Sequence, residues 1–154
     1  MPVFAIVSQT RIEYAHIYSM IFIFTDIDGV LNPEWKKKWS KKAVLQYNRA
    51  CRDFGLLPVI TSTWRLAHSK EQLQHIFREQ GVEPDIFDYT PHIDQADRGL
   101  EIKKFLEENT CDGYVVIDDR VHDIAPHVEN VVKCRSWLGF GEEEYEEIKK
   151  ILGK

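Results

Sequence analysis

Residues 21–32 read Ile-Phe-Ile-Phe-Thr-Asp-Ile-Asp-Gly-Val-Leu-Asn, four β-prone apolar residues and a threonine running straight into two acids and a glycine. An unbroken apolar strand of this kind is stable where both of its faces are covered, which selects a parallel sheet between helices over a half-exposed antiparallel one. Asp26 and Asp28 then fall at the strand's carboxyl end, where open α/β sheets bind ligands. Gly29 and Asn32 begin a turn directly after them, so the two carboxylates can differ in direction and in role.

The rest of the chain repeats the pattern. Ser40 is a good N-cap for a helix over residues 41–54, with Ala43, Val44, Tyr47, Ala50, Cys51 and Phe54 as its inner face and Gly55 as its stop. Residues 56–60 form a second strand that tolerates Pro58 near its start and delivers Thr61, Ser62, Thr63, Trp64 and Arg65 to its end. A helix follows over residues 69–80, with Leu73, Ile76 and Phe77 inward and Gly81 beyond it. Residues 84–91 read as a short strand ending in a loop. Arg98 stands just ahead of a helix over residues 99–108, in which Leu100, Ile102, Phe105 and Leu106 pack. Residues 113–117 are another buried strand ending in acids, Asp118 and Asp119, with Asp123 beyond. A short helical turn, a strand over residues 128–133 and an acidic helix over residues 142–152 complete the order. Alternating strands and helices predict a three-layer, Rossmann-like, doubly wound parallel α/β sheet with right-handed crossovers. Residues 20–154 read as a single domain. Residues 1–19 are an N-terminal extension of uncertain order: either a poorly packed segment with Met20 as a second plausible start, or an extra edge strand at residues 3–7.

At 154 residues the chain can bury roughly two thirds of its unfolded surface without staples. Cys51, Cys111 and Cys134 are odd in number, widely spaced and free of C-x-x-C pairing, which points to buried thiols in a reducing compartment and away from a zinc site. Residues 1–7 make a poor secretory signal, and no stretch approaches the ~20 apolar residues of a membrane span. A cytoplasmic protein with no membrane partner is expected, and a monomer before an oligomer. The net charge of −5 conceals an asymmetry: residues 31–70 carry nine basic and two acidic groups, while residues 71–154 stand at −10. An electropositive block beside acidic chemistry favours an anionic substrate.

Three strands thus end at one sheet edge in Asp26 and Asp28, in Thr61 and Ser62, and in Asp118 and Asp119. Converging carboxylates repel unless a cation lies among them, and Mg²⁺ suits an all-oxygen donor set that must leave room for water and phosphate. The hydroxyls of Thr61 or Ser62 and the charge of Arg98 or Arg65 are placed to hold phosphate oxygens from the other side. Together these make a phosphoryl-transfer site.

The run Asp26-Ile-Asp-Gly-Val-Leu, the strand-end Thr61-Ser62, a basic residue before a helix, and Val-Ile-Asp118-Asp119-x-x-x-Asp123 resemble the four motifs of the haloacid dehalogenase (HAD) superfamily along residues 20–135. Within it, Asn32, Ser62-Thr-Trp-Arg65, Thr90-Pro91 and Arg98-Gly-x-Glu-Ile resemble the small HAD domain of Swiss Army Knife RNA-repair proteins. The Ile-Asp-Asp-Arg120 stretch is similar to the phosphatase domain of phage polynucleotide kinase. The resemblance implies a HAD core in which Asp26 is the nucleophile that forms an aspartyl-phosphate and Asp28 the general acid and then base. It implies Mg²⁺ held by Asp26, the backbone carbonyl of Asp28, and Asp119, with Asp118 or Asp123 assisting. Backbone N–H groups from Ile27 to Gly29 would add an anion nest. Thr61 fits the phosphate-binding hydroxyl, with Ser62 one residue late. Where the superfamily usually has a lysine, this chain has Arg98, with Lys103 as the alternative.

In the HAD fold the segment after the first strand is a flap that meets substrate. Here it carries Trp35, Lys36, Lys37, Lys38 and Trp39, aromatics and lysines that could stack bases and follow a phosphate backbone, or simply form a solvated face with packed tryptophans. The intervals between motifs leave no room for a large cap domain, so large phosphorylated substrates can reach the site. The expected activity is Mg²⁺-dependent phosphomonoester hydrolysis, with a polynucleotide 3′-phosphate as the attractive substrate. Nucleotides or other small phosphoesters are the alternative, and a catalytically silent HAD-like binding module is the alternative of another class. Gly29 comes too early for a calcium-binding EF-hand loop. His68, His92, His122 and His127 show no ligand spacing and read as surface residues.

Overall fold

The computed structural model describes residues 19–154. The extension expected over residues 1–19, with its alternative edge strand at residues 3–7, therefore lies outside the described residues apart from Ser19. Five strands, β1 (Ile21–Thr25), β2 (Leu56–Ile60), β3 (Asp88–Tyr89), β4 (Gly113–Asp118) and β5 (Val131–Lys133), form one all-parallel sheet in the order β3-β2-β1-β4-β5. The helices are α1 (Lys41–Phe54), α2 (Trp64–Ala67), α3 (Lys70–Glu79), α4 (Arg98–Glu108) and α5 (Glu142–Ile151).

Side-chain alternation along β1 divides the core into two layers. Ile21 and Ile23 pack on the face covered by α1, α3 and α5, where Tyr47, Leu73, Phe77 and Ile148 are buried. Phe22 and Phe24 point to the opposite face and meet Phe105 of α4 edge-on, with Phe87 tilted against Phe22. β1 to β3 run outward in one direction, and α4 then carries the chain back across to place β4 on the other side of β1. With right-handed crossovers, that reversal moves the connecting helix to the other face. The gap between the carboxyl ends of β1 and β4 is consequently the topological switch point, where doubly wound sheets bind ligands.

The expected bounds of α1 and β2 match the structure. Ser40 caps α1 by accepting the Ala43 N–H, and Gly55 closes it in the left-handed region at φ 65°. Ser69 and Gln72 form a reciprocal capping box at α3.

Other expectations need correction. The strand expected over residues 84–91 is only Asp88–Tyr89. Pro58 turns its carbonyl to the Phe87 N–H at 2.8 Å but has no N–H to return, so the β2–β3 ladder starts one residue later. The strand expected from residue 128 starts at Val131, because Asn130 sits at φ 59° and its side chain holds the Tyr114 carbonyl. Residues 64–67 make a single helical turn where none was expected. Arg98 is the first residue of α4 rather than the residue before it, and Leu100 faces solvent while Gly99 and Glu101 face inward. Among the described residues no helix is long and apolar enough to cross a membrane.

Candidate active site

The parallel register sets the site. Thr25 lies beside Ile60 on one side and Ile117 on the other, so Asp26, Thr61 and Asp118 follow at the same level on three adjacent strands. The ladder continues through this level: the Asp26 N–H donates to the Ile117 carbonyl at 3.3 Å and the Thr61 N–H to the Thr25 carbonyl at 3.1 Å. Asp26, Asp118 and Asp119 each offer a carboxylate oxygen within 4.8 Å of the others.

Arg98 reaches this cluster from the start of α4. Its Nη1 lies 2.6 Å from Asp118 Oδ2 and 3.4 Å from Asp26 Oδ1. Gly99 makes the approach possible. Its N–H donates to the Asp123 carbonyl, and a Cβ there would overlap the backbone carbonyls of Asp123 and Ile124. Asp123 is used locally, its carboxylate accepting the Arg98 backbone N–H at 3.3 Å. Lys103 is exposed on α4 beside Leu106, Tyr114 and Pro126, so of the two candidates for the third motif the structure brings Arg98 to the acids.

Three buried or half-buried carboxylates, two of them paired with one guanidinium, leave an excess of negative charge. Burial first, and then the Asp118 charge, push Asp26 up to about 8, against the pull of Arg98 and the Ile27 N–H. Burial also raises Asp118, although Arg98 and the Arg120 N–H hold its ionised form. An all-carboxylate, net-negative cluster matches the oxygen-only donor preference of a hard divalent cation. Thr61 Oγ1 adds a second sign of a ligand, being a buried hydroxyl at the end of β2 with no hydrogen-bond partner among the described residues. Ser62 Oγ accepts the Trp64 N–H at 3.2 Å and retains its own proton to donate.

Asp28 diverges from Asp26. The tight coil after β1, in which Ile27's carbonyl accepts the N–H groups of Val30, Leu31 and Asn32, turns it half out of the core. There Asp28 Oδ2 accepts the indole N–H of Trp64 at 3.0 Å. Trp64 is itself held by a stacked His68 ring and an edge-on contact with buried Trp39. The sequence places Trp64 at the strand end but gives it no role, since no spacing rule links it to a residue 36 positions away.

Several expected site residues have other tasks. Arg65 is not free to bind a substrate. Its guanidinium is buried and donates to the carbonyls of Thr61, Ser62, Thr90 and Pro91 and to Glu101 at 3.0 Å. Gly29's N–H donates to the Asn32 carbonyl, so it is not part of an anion nest. Gly29 instead makes room: it sits at φ 81°, and a Cβ on it would overlap the Asp119 carboxylate. In the flap Trp39 is core, Trp35 is 69% exposed and Lys36 pairs with Glu34, while Lys37 and Lys38 are exposed. Asn32 fixes the flap's root by exchanging two hydrogen bonds with the Lys36 backbone.

The sheet order, the aspartates at the β1/β4 switch point and the basic residue at the start of α4 define a HAD-type α/β domain, with no large cap among the described residues. The superfamily is one of phosphatase-type hydrolases. The chain belongs to the family described as the HAD domain in Swiss Army Knife RNA repair proteins, whose model matches residues 22–145. No curated protein matches the chain.

Proposed function

We propose that the domain is a Mg²⁺-dependent phosphomonoester hydrolase that works through an aspartyl-phosphate on Asp26, with a polynucleotide 3′-phosphate as its substrate. The observation that carries this reading is the convergence of Asp26, Asp118 and Asp119 at the switch point, with Arg98 paired to the first two. The unpartnered Thr61 hydroxyl lies at the same sheet level.

In the first step an Asp26 carboxylate oxygen bonds to phosphorus while the phosphorus–oxygen bond to the alcohol breaks. Asp28, turned out of the core and oriented by Trp64, gives that alkoxide its proton. In the second step Asp28 takes a proton from water, the water oxygen bonds to phosphorus, and the bond to Asp26 breaks to release inorganic phosphate. Thr61, Ser62 and Arg98 donate to the phosphoryl oxygens, where negative charge is held in the transition state. Asp26, Asp119, the Asp28 carbonyl and Asp118 would hold Mg²⁺, which supplies positive charge between nucleophile and phosphate.

Two observations support a polymeric substrate. Among the described residues no cap covers the site, and the family's description refers to RNA repair. The experiment is a panel of 3′-phosphorylated oligonucleotides, nucleotides, sugar phosphates and phosphopeptides with Mg²⁺. The 3′-phosphate oligonucleotide is expected to give the highest kcat/KM. A preference for nucleotides would move the assignment to small phosphoesters, and no turnover of any member would leave a silent binding module.

A further inference from the structure

On the reading above, which this inference extends, we propose a second substrate site: the cleft between the flap and the turn at residues 135–140 binds the single-stranded nucleotides adjoining the terminal phosphate. Trp137 would stack on a base, and Lys38 and Lys42 would hold backbone phosphates.

The cleft has a volume of about 260 Å³ and is lined by Asn32, Lys38, Lys42, Trp137 and Leu138, and by Glu34, whose carboxylate is paired with Lys36. It starts at the catalytic loop, since Asn32 is bridged to Asp28. Its far wall is clamped to the same loop. The Phe140 N–H donates to the Val30 carbonyl at 2.8 Å, buried Phe140 anchors the turn, and a Cβ at Gly139 would overlap that carbonyl. Two further bonds close the turn, from the Leu138 and Gly139 N–H groups to the Arg135 carbonyl. Trp137 and Leu138 are nevertheless 68% and 51% exposed at its tip. An indole exposed on a turn whose backbone is hydrogen-bonded to the catalytic loop offers ring surface for stacking beside the site.

Charge selects the occupant. Lys38 and Lys42 are exposed and have no ion-pair partner among the described residues, in contrast to Lys36. Unpaired lysines beside an exposed indole match an anionic backbone carrying aromatic bases. The bases must be unpaired to stack, which specifies a single-stranded end rather than a blunt duplex.

The test compares wild type with Trp137→Ala and with Lys38→Gln/Lys42→Gln. The substrates are a single-stranded 3′-phosphorylated oligonucleotide, the same strand with an abasic terminal nucleotide, a blunt duplex and a small aryl phosphate. Trp137→Ala is expected to raise KM for the single strand by about 10-fold or more, the range of base–aromatic stacking, with kcat and aryl phosphate turnover unchanged. It should add little to the loss already caused by the abasic end. The lysine variant should raise KM and flatten its salt dependence. An unchanged KM with Trp137→Ala, an equal loss on the aryl phosphate, or equal use of the duplex overturns the proposal. Fluorescence anisotropy with a labelled single strand decides it separately from catalysis: wild type that binds through Trp137 but turns over no phosphoester leaves this site standing and removes the phosphatase reading. Loss of a self-associated dimer in Trp137→Ala by sedimentation, without loss of oligonucleotide binding, would assign the cleft to a second copy of the chain instead.

Discussion

Asp26 and Asp28 are two residues apart and have opposite environments. Asp26 is buried among acids, whereas Asp28 is turned toward an indole donor. That difference suits one to attack and the other to exchange protons. Trp64→Phe keeps the ring contacts with Trp39 and His68 but removes the donor to Asp28. It is expected to lower kcat about tenfold on an alkyl phosphate and far less on an aryl phosphate with a good leaving group, as steady-state kinetics on both would show. An equal loss on both substrates would mean that Trp64 only supports the fold. Gly29→Ala combines an unfavourable φ with overlap of Asp119, so the Mg²⁺ concentration for half-maximal activity should rise at least several-fold. The sequence made the acids legible because strand propensity stops abruptly at them. It could not show Trp64's partner, because that contact depends on how α2 returns over the flap.

At the scale of elements, the stretches Ser62-Thr-Trp-Arg65, Thr90-Pro91 and Arg98-Gly-x-Glu-Ile turn out to be one knot. Buried Arg65 ties the end of β2 to the loop after β3 and, through Glu101, to the first turn of α4. Glu101 also accepts the Ile93 N–H. The knot sets α4's first turn, and so Arg98, against the ends of β1 and β4. Breaking a buried pair of this kind costs about 3–5 kcal/mol. Glu101→Ala is therefore expected to lower stability by about that amount in chemical denaturation and to reduce activity with it. A loss below about 1 kcal/mol would show that Arg65 is satisfied by its carbonyls alone. The periodic elements α1 and β2 were readable because their apolar spacing, caps and glycine stop agree. The short extent of β3 is not legible in its own residues, because its pairing depends on Pro58 in its neighbour. The structural task of Arg65 is hidden from the sequence for a similar reason, as its burial follows from a loop 25 residues away.

For the whole molecule the balance of charge matters most. In the metal-free protein, folding raises the proton affinity of Asp26 and Asp118 above that of the unfolded chain. The folded state then binds more protons than the unfolded state, so stability falls as pH rises from about 4 toward 8. Thermal melts should show Mg²⁺ raising Tm more at pH 8 than at pH 5. Asp26→Asn should flatten the metal-free pH dependence and raise Tm at pH 8 by several degrees. A Tm indifferent to Mg²⁺ at pH 8 would argue against a cation among these acids. The most direct test of the central assignment is acid quenching of wild type during turnover of a 3′-³²P-phosphorylated oligonucleotide with Mg²⁺, followed by peptide mapping. The prediction is acid-stable, base-labile label on the peptide containing Asp26, and neither label nor turnover in Asp26→Asn. Sustained turnover by Asp26→Asn, or label on a different residue, would contradict it.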